Sequence, residues 1–535
     1  MNSEASITQA AGHSPRTKRY DVVPQAIDAW IVGLGGAESV APVVTETIKA
    51  TGARRHPGWG NDPSTPEAVA EFEYTLLQDL VRPRYNLTFS AQTHLVPTKL
   101  QYNEVGNGSI GSVDGVDFMF NPKYTRASIP SWRLATRQRH FDMTSPLRML
   151  RKVQAPGADV TLDEHPDMAA GMSVLRLREV GRPPVHLFLD NTSGRLVKLE
   201  TVENHSPLGD TLVEVFFRDY RSTGGLSLPY NVTVCVGGTL VHEESRTLVE
   251  TSTIVSDEAF AVLNLPRTAA EEDGSLEQVA YAQYSTEWIL NYVYAGVVFY
   301  FDLQVAPVVP APVELATGVK IVLGPSHNVL VVEMPDYLLA VEAPLYDEYS
   351  RAALAQVKAS FPGKPLRTVV ATHFHYDHIG GVREFAADGG LTVICGEPTV
   401  PFFEQLFRGP HAVDPDRFQS NPEPVKVVGV RDTLSLPTAD GGEIRLIRIQ
   451  SDHSKDMLIV YLSKAKLVFE SDLWNPTPSM PPPRSGRGRL ATQLYDAIVA
   501  RNLDVELVVG GHRGSDGKAW AHVAPLSFLK MVAGR

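Results

Sequence analysis

His373-Phe-His-Tyr-Asp-His378 follows directly on the apolar run Arg367-Thr-Val-Val-Ala-Thr372. Four side chains able to bind a metal stand within six positions, just past a predicted strand. The β-branched run reads as a buried parallel strand, and Gly380-Gly381 closes the loop tightly. Imidazole nitrogens and a carboxylate are ligands that borderline cations such as zinc prefer. In an extended segment His373 and His375 share one side, while Asp377 and His378 can turn toward a second point. One motif can therefore feed two metals.

The same arrangement recurs downstream. His453 lies in Gln450-Ser-Asp-His-Ser-Lys455, after the strand-like Ile444-Arg-Leu-Ile-Arg-Ile449. Asp472 ends Lys466-Leu-Val-Phe-Glu-Ser-Asp472, and His512 sits in Val508-Val-Gly-Gly-His-Arg-Gly514. Each falls at the C-terminal end of a predicted strand, where open α/β sheets place their ligands. A lone His or Asp at such a place is ordinarily a hydrogen-bonded loop residue. Ten of the sixteen histidines take that reading: His13, His56, His94, His140, His165, His186, His205, His242, His411 and His522.

The ordered set His373, His375, Asp377, His378, His453, Asp472 and His512 resembles the metal motifs of the metallo-β-lactamase superfamily, over roughly residues 305–535. The resemblance implies an α/β fold, a C-terminal αββα sandwich with the metals at one edge. It implies two zinc ions per chain, one held by His373, His375 and His453 and the other by Asp377, His378 and His512, with Asp472 bridging. Asp377 would be the catalytic residue that orients the nucleophile or takes its proton. His375 stands where the diiron oxygen reductases of the superfamily have glutamate. Asp472 matches glyoxalase II-like and lactonase-like members, whereas zinc β-lactamases usually carry cysteine there. The expected activity is hydrolysis of a carboxylic ester, lactone or thioester of a small-molecule substrate by metal-bound hydroxide. One alternative is a mononuclear iron thiol or persulfide dioxygenase, whose relatives keep the His-x-His-x-Asp-His motif but bind iron through two histidines and a carboxylate. The other is a lipid-binding protein with an auxiliary metal site. His327, in Gly324-Pro-Ser-His-Asn328, reads either as a substrate contact or as a turn residue.

Composition bounds the remainder. A chain of 535 residues, 43% hydrophobic and 21% charged, fits a soluble globular protein of two or three domains. Its net charge of −12 argues against a nucleic-acid surface, which favours basic faces. Two cysteines, Cys235 and Cys395, imply no disulfide framework and read as core residues. Residues 1–20 are polar, without the apolar stretch of a secretory signal, and no run reaches the roughly 20 apolar residues of a membrane span. A cytoplasmic location is the resulting expectation.

The pass along the chain divides it into a disordered tail (1–20), an N-terminal domain of helices plus an antiparallel β-sheet (21–255), a linker with an aromatic segment (256–304) and the metal domain (305–535). Helical spacing begins at residue 24, with further helices expected at Glu38–Thr51 and Glu67–Val81. From Tyr85 onward the pattern alternates. Val185–Leu189 and Arg195–Leu199 flank the turn chemistry of Asp190-Asn-Thr-Ser-Gly194, and more strands are expected at 213–217, 231–236 and 247–254. This half resembles the β-rich domain that precedes the metal domain in some bacterial superfamily members. Through Phe217-Arg-Asp-Tyr-Arg221, Gly224-Gly225 and Leu228-Pro229 it is more distantly similar to the curved half-barrels of lipoprotein carriers. Either it caps the metal domain or it holds an acyl chain. Pro266–Glu277 reads as a linker and the aromatic run Val279–Asp302 as interdomain packing. In the metal domain, strands are expected at Val319–Leu323, Val329–Glu333, Leu338–Val341 and around Thr368, and helices at Glu348–Phe361 and Pro401–Phe407. A loop from Pro476 to Leu490 carries Arg484, Arg487 and Arg489.

Overall fold

The computed structural model describes residues 20–535 except 56–57, 66, 95–97, 118–122, 166–170, 206, 267–306, 477–486 and 513–522. The N-terminal region is built on one 13-stranded sheet and the C-terminal region on a seven-stranded and a six-stranded sheet. The large sheet is antiparallel throughout. Its first strand, Thr45–Arg55, pairs with its last, Thr239–Ser252, and so joins two meandering arms. The expected hairpin is present: Leu189 stands opposite Leu196, and the Asp190 carboxylate accepts from the backbone N–H of Thr192 and Ser193. The runs at 213–217 and 231–236 lie within Gly209–Thr223 and Leu226–Val236, and 247–252 ends the last strand.

Strands dominate this region where helices and a sheet were expected. The early helix is there as Val23–Gly33, with Trp30 and Ala26 buried. The two that follow it in the sequence reading are not. Ala37–Val40 is a single turn, Thr45–Arg55 is a strand, and Ala68–Asp79 is the strand beside it. Ala68-Val-Ala-Glu-Phe-Glu is rich in helix formers, but helix propensities differ by only tenths of a kcal/mol per residue. Pairing sets Ile48, Leu76 and Leu87 in one row across three strands, each nearly inaccessible. Burying one such side chain contributes about 1.5–3 kcal/mol, so tertiary pairing wins.

A helix that the apolar pattern does not announce, Ser131–Thr144, lies against both arms of the sheet. Alongside Trp132, Leu134, Phe141 and Met143 it buries Arg133, Arg137, Gln138, Arg139 and His140. Arg133 and Arg137 reach Glu104 in one arm, and Arg139 reaches Glu203 in the other.

In the C-terminal region the seven-stranded sheet runs in sequence order from Val313–Ala316 to Lys426–Val430 and is parallel beyond Leu338–Val341. The strands at Val319–Leu323 and Leu338–Val341 and the helices Asp347–Ser360 and Val400–Arg408 fall where the sequence places them. The six-stranded sheet faces it through Ile321, Leu330, Val370, Leu446, Val460 and Phe469. Helices cover the outer faces, through Leu354, Val357 and Phe403 on one side and Leu494, Ile498 and Leu529 on the other. Cys395 is buried as expected, whereas Cys235 is only half-buried. Arg487 and Arg489 belong to the helix Arg487–Ala500, not to a loop, and Arg489 pairs with Asp452 at 2.7 Å. Arg484 and the aromatic run at 279–302 lie outside the described residues, as does all of the 266–277 linker but Pro266. Among the described residues no helix is long and apolar enough to cross a membrane.

The two regions share a core. Leu345, Tyr346, Tyr349 and Tyr376 pack with Trp59, Phe72, Tyr85 and Phe89 of the large sheet. A polar seam lies nearby, where the Asp210 carboxylate accepts from the backbone N–H of Ala412 and Val413 at 2.8 and 2.9 Å.

Asp347, at the start of its helix, carries a pH-dependent cost. Burial, then the carboxylates of Asp416, Glu348, Glu384 and Asp414, push its carboxyl up to about 8. The favourable helix-terminus interaction, about 0.3–1 kcal/mol, is smaller than a displacement worth about 1.4 kcal/mol per pH unit. A raised carboxyl binds its proton more tightly in the folded protein, so stability falls as pH rises from the unfolded value near 4 through 8. Asp347→Asn is therefore expected to match the wild type in urea melts at pH 4 and to exceed it at pH 8. Equal midpoints at pH 8 would contradict this.

Candidate metal centre

The residues singled out in the sequence converge at the ends of strands in both C-terminal sheets. Leu366–Val370 delivers the segment His373–His378, Glu443–Arg448 precedes His453, Leu467–Glu470 precedes Asp472, and Leu507–Gly510 precedes His512. Two groups form. His373, His375, His453 and Asp472 offer ligand atoms all within 4.8 Å of one another, and so do His327, Asp377, His378 and His512.

Asp472 touches both. Its Oδ2 lies 2.9 Å from His453 Nε2, 3.5 Å from His373 Nε2 and 3.2 Å from His378 Nε2, and its Oδ1 lies 2.6 Å from His512 Nε2. Its backbone is held at φ 65°, a left-handed conformation that aspartate tolerates better than most residues. His327 is not a bystander turn residue. Its Nε2 is 3.3 Å from Asp377 Oδ2, and its ring centroid is 4.2 Å from that of His512.

The imidazoles are oriented from behind. Thr372 Oγ1 lies 3.0 Å from His373 Nδ1, Glu342 Oε2 2.7 Å from His378 Nδ1, and Gly60 O 2.7 Å from His375 Nε2. Such partners fix which ring nitrogen presents its lone pair. Burial, then the surrounding imidazoles, holds His373 well below the usual histidine range, and burial followed by His453 lowers His375 to about 3. Both shifts favour the uncharged imidazole, the form that binds a metal. Against the cost of burial, Asp377, Asp472 and Glu342 push His378 well up. Burial also opposes ionisation of Asp472, but His512, His378 and His453 hold its carboxyl far below the ordinary range.

These features fit a cation. Among the described residues, His375 Nδ1 and Asp377 Oδ1 are buried without a hydrogen-bond partner. His373 Nε2 and His453 Nε2 face each other at 3.3 Å. Bare acceptors aimed at a shared point are costly unless a proton or metal lies between them. Neutral imidazoles with carboxylates form a donor set suited to zinc and its neighbours.

Sequence reasoning missed three contributors. Glu342 follows directly on the strand Leu338–Val341, the same placement that revealed Asp472, so the signal was available. Trp59 and Gly60 come from a loop of the N-terminal sheet, some three hundred positions from the motif, and carry no local signal. A third group, His165, His186 and Glu200, gathers on the large sheet. There Lys198 Nζ already neutralises Glu200 at 2.7 Å, and Asp163 engages His186 at 3.1 Å, which leaves an ordinary cross-strand charge network.

No curated protein matches the chain. Among solved structures, a metallo-beta-lactamase from Pontibacter korlensis is 16% identical, covering 42% of this chain and 97% of its own, with a TM-score of 0.32. The sec-alkylsulfatase Pisa1 from Pseudomonas sp. is 17% identical, covering 42% of this chain and 41% of its own, with a TM-score of 0.31. A metallo-beta-lactamase from Hirschia baltica is 18% identical, covering 42% and 96%, with a TM-score of 0.30. Residues 346–512, which include all seven motif residues, match the family model of the metallo-beta-lactamase superfamily, and the chain thus carries a metallo-beta-lactamase domain at its C-terminus.

Proposed function

We propose that the chain is a hydrolase that uses two zinc ions to cleave a carboxylic ester, lactone or thioester of a small molecule. The observation that carries this reading is the reach of Asp472, whose two oxygens contact ring nitrogens of both groups. In this reading His373, His375 and His453 hold one ion, Asp377, His378 and His512 hold the other, and Asp472 bridges them. Two zinc ions held there would supply Lewis acidity toward the scissile carbonyl and would bring the pKa of a bound water toward neutrality.

The protein's own groups do the positioning. Asp377 offers Oδ1 to orient the attacking water or to take its proton, while its Oδ2 lies 3.3 Å from His327 Nε2. His327 serves as an uncharged partner, because burial and then His512 lower it to about 4. The dry walls around His373, His375 and His378, each at most 1% exposed, strengthen every electrostatic contact inside.

Elemental analysis of the purified chain, with an ester, lactone and thioester panel, tests the reading. About two zinc per chain and chelator-sensitive turnover are expected. About one iron per chain with oxygen consumption on thiol substrates would replace it with the dioxygenase reading. Co-purified apolar ligand without turnover of the panel would replace it with the binding-protein reading.

A further inference from the structure

We infer that loop 58–65 of the N-terminal sheet is part of the metal centre, where it positions His375 for its cation. This rests on the metal-binding reading above. His375 is 1% exposed, and its Nε2 lies 2.7 Å from the Gly60 carbonyl. A carbonyl only accepts, so Nε2 carries the hydrogen and Nδ1 carries the lone pair. Nδ1 is the atom left buried without a partner. The Trp59 ring stacks on the same imidazole, with centroids 5.5 Å apart and planes 9° from parallel. The loop thereby fixes both the tautomer and the plane of this ligand.

The same loop also clamps the segment that carries His453. Lys455 N donates to Asn61 O at 3.0 Å, Asn61 Nδ2 donates to Ser451 O at 3.1 Å, and the Lys455 ammonium pairs with Asp62. His373 and His378 take their orienting bonds from Thr372 and Glu342, within the metal domain itself. His375 takes its own from the N-terminal sheet. The loop's geometry leaves little slack: Gly60 has φ +95°, and a Cβ there would meet Glu67 Cγ at 3.0 Å. The sheet is thus a wall of the site as well as a support, and the metal domain alone would hold an incompletely oriented first site.

The test uses the full chain, titrated with cobalt(II) in competition with a chromophoric chelator and read by the visible cobalt bands. Gly60→Ala and Trp59→Ala are expected to weaken the first cation about 10–100-fold, the range for loss of a partner behind a ligand, and to shift its bands. Trp59→Phe, which keeps a stacked ring, is expected to restore both. Asp62→Asn loosens the clamp from a partly exposed position, so it keeps the test open if a core substitution fails to fold, and it is expected to move affinity in the same direction. Folded variants that bind both equivalents with wild-type affinity and spectrum would overturn the inference while leaving the two-metal reading intact. Wild-type protein that takes up no cobalt would overturn both.

Discussion

Asp472→Ala is expected to abolish turnover by about 10³-fold or more and to leave at most one tightly held metal per chain. The carboxylate meets His453 and His373 on one side and His378 and His512 on the other, so its loss removes a ligand from both groups at once. Partners that only stand behind ligands are worth 10–100-fold in metal affinity, and a shared direct ligand should exceed that. Asp472→Asn is the control for shape. Asparagine tolerates φ 65° and keeps the side-chain outline, but it is a weaker ligand without charge. It is expected to fold like the wild type and to lose metal nonetheless. Zinc should raise the thermal midpoint of the wild type by mass action and raise that of either variant much less. A variant with two metals and full activity would show that the two groups are not bridged by this residue.

How much of this was legible in the sequence depends on the range of the contact that decides each element. The segment 373–378 announces itself because its ligands lie within one short turn after a strand, and His453, Asp472 and His512 repeat the same local grammar. The strand Ala68–Asp79 hides because its composition favours helix, while its pairing with both neighbours is fixed by residues up to about thirty positions away. The helix Ser131–Thr144 hides for the opposite reason. Every residue from Trp132 to Thr144 is buried, arginine, glutamine and histidine among them, so no one-sided apolar stripe marks it, and its partners Glu104 and Glu203 lie on distant strands. Gly60 is the extreme case: the function of its carbonyl is defined only once the two regions meet.

Glu104→Ala is expected to destabilise the N-terminal sheet by about 3–5 kcal/mol, the largest stability effect of any single substitution considered. Glu104 is fully buried and accepts from Arg133 at 2.6 Å, Arg137 at 2.9 Å and the Tyr85 hydroxyl at 2.6 Å. Arg133 also reaches a second carboxylate, Asp117, at 3.0 Å, and Arg137 also donates to the Tyr102 hydroxyl at 3.0 Å. Truncation therefore removes the buried carboxylate that both guanidiniums share, a much larger penalty than an intact pair is worth. Glu104→Gln keeps the acceptor oxygen and removes the charge, so it should fall between, at about 1–3 kcal/mol. Burial opposes ionisation of Glu104, but Arg133 and then Arg137 lower its carboxyl to about 2. A carboxylate lowered in the folded state stabilises above its unfolded value, near 4.5, and that stabilisation is lost as pH falls toward 2. The gap between wild type and Glu104→Gln in urea melts followed by circular dichroism should accordingly be widest above pH 5 and close on acidification. A gap independent of pH would mean that packing around Glu104, and not its charge, holds the helix Ser131–Thr144 to the sheet.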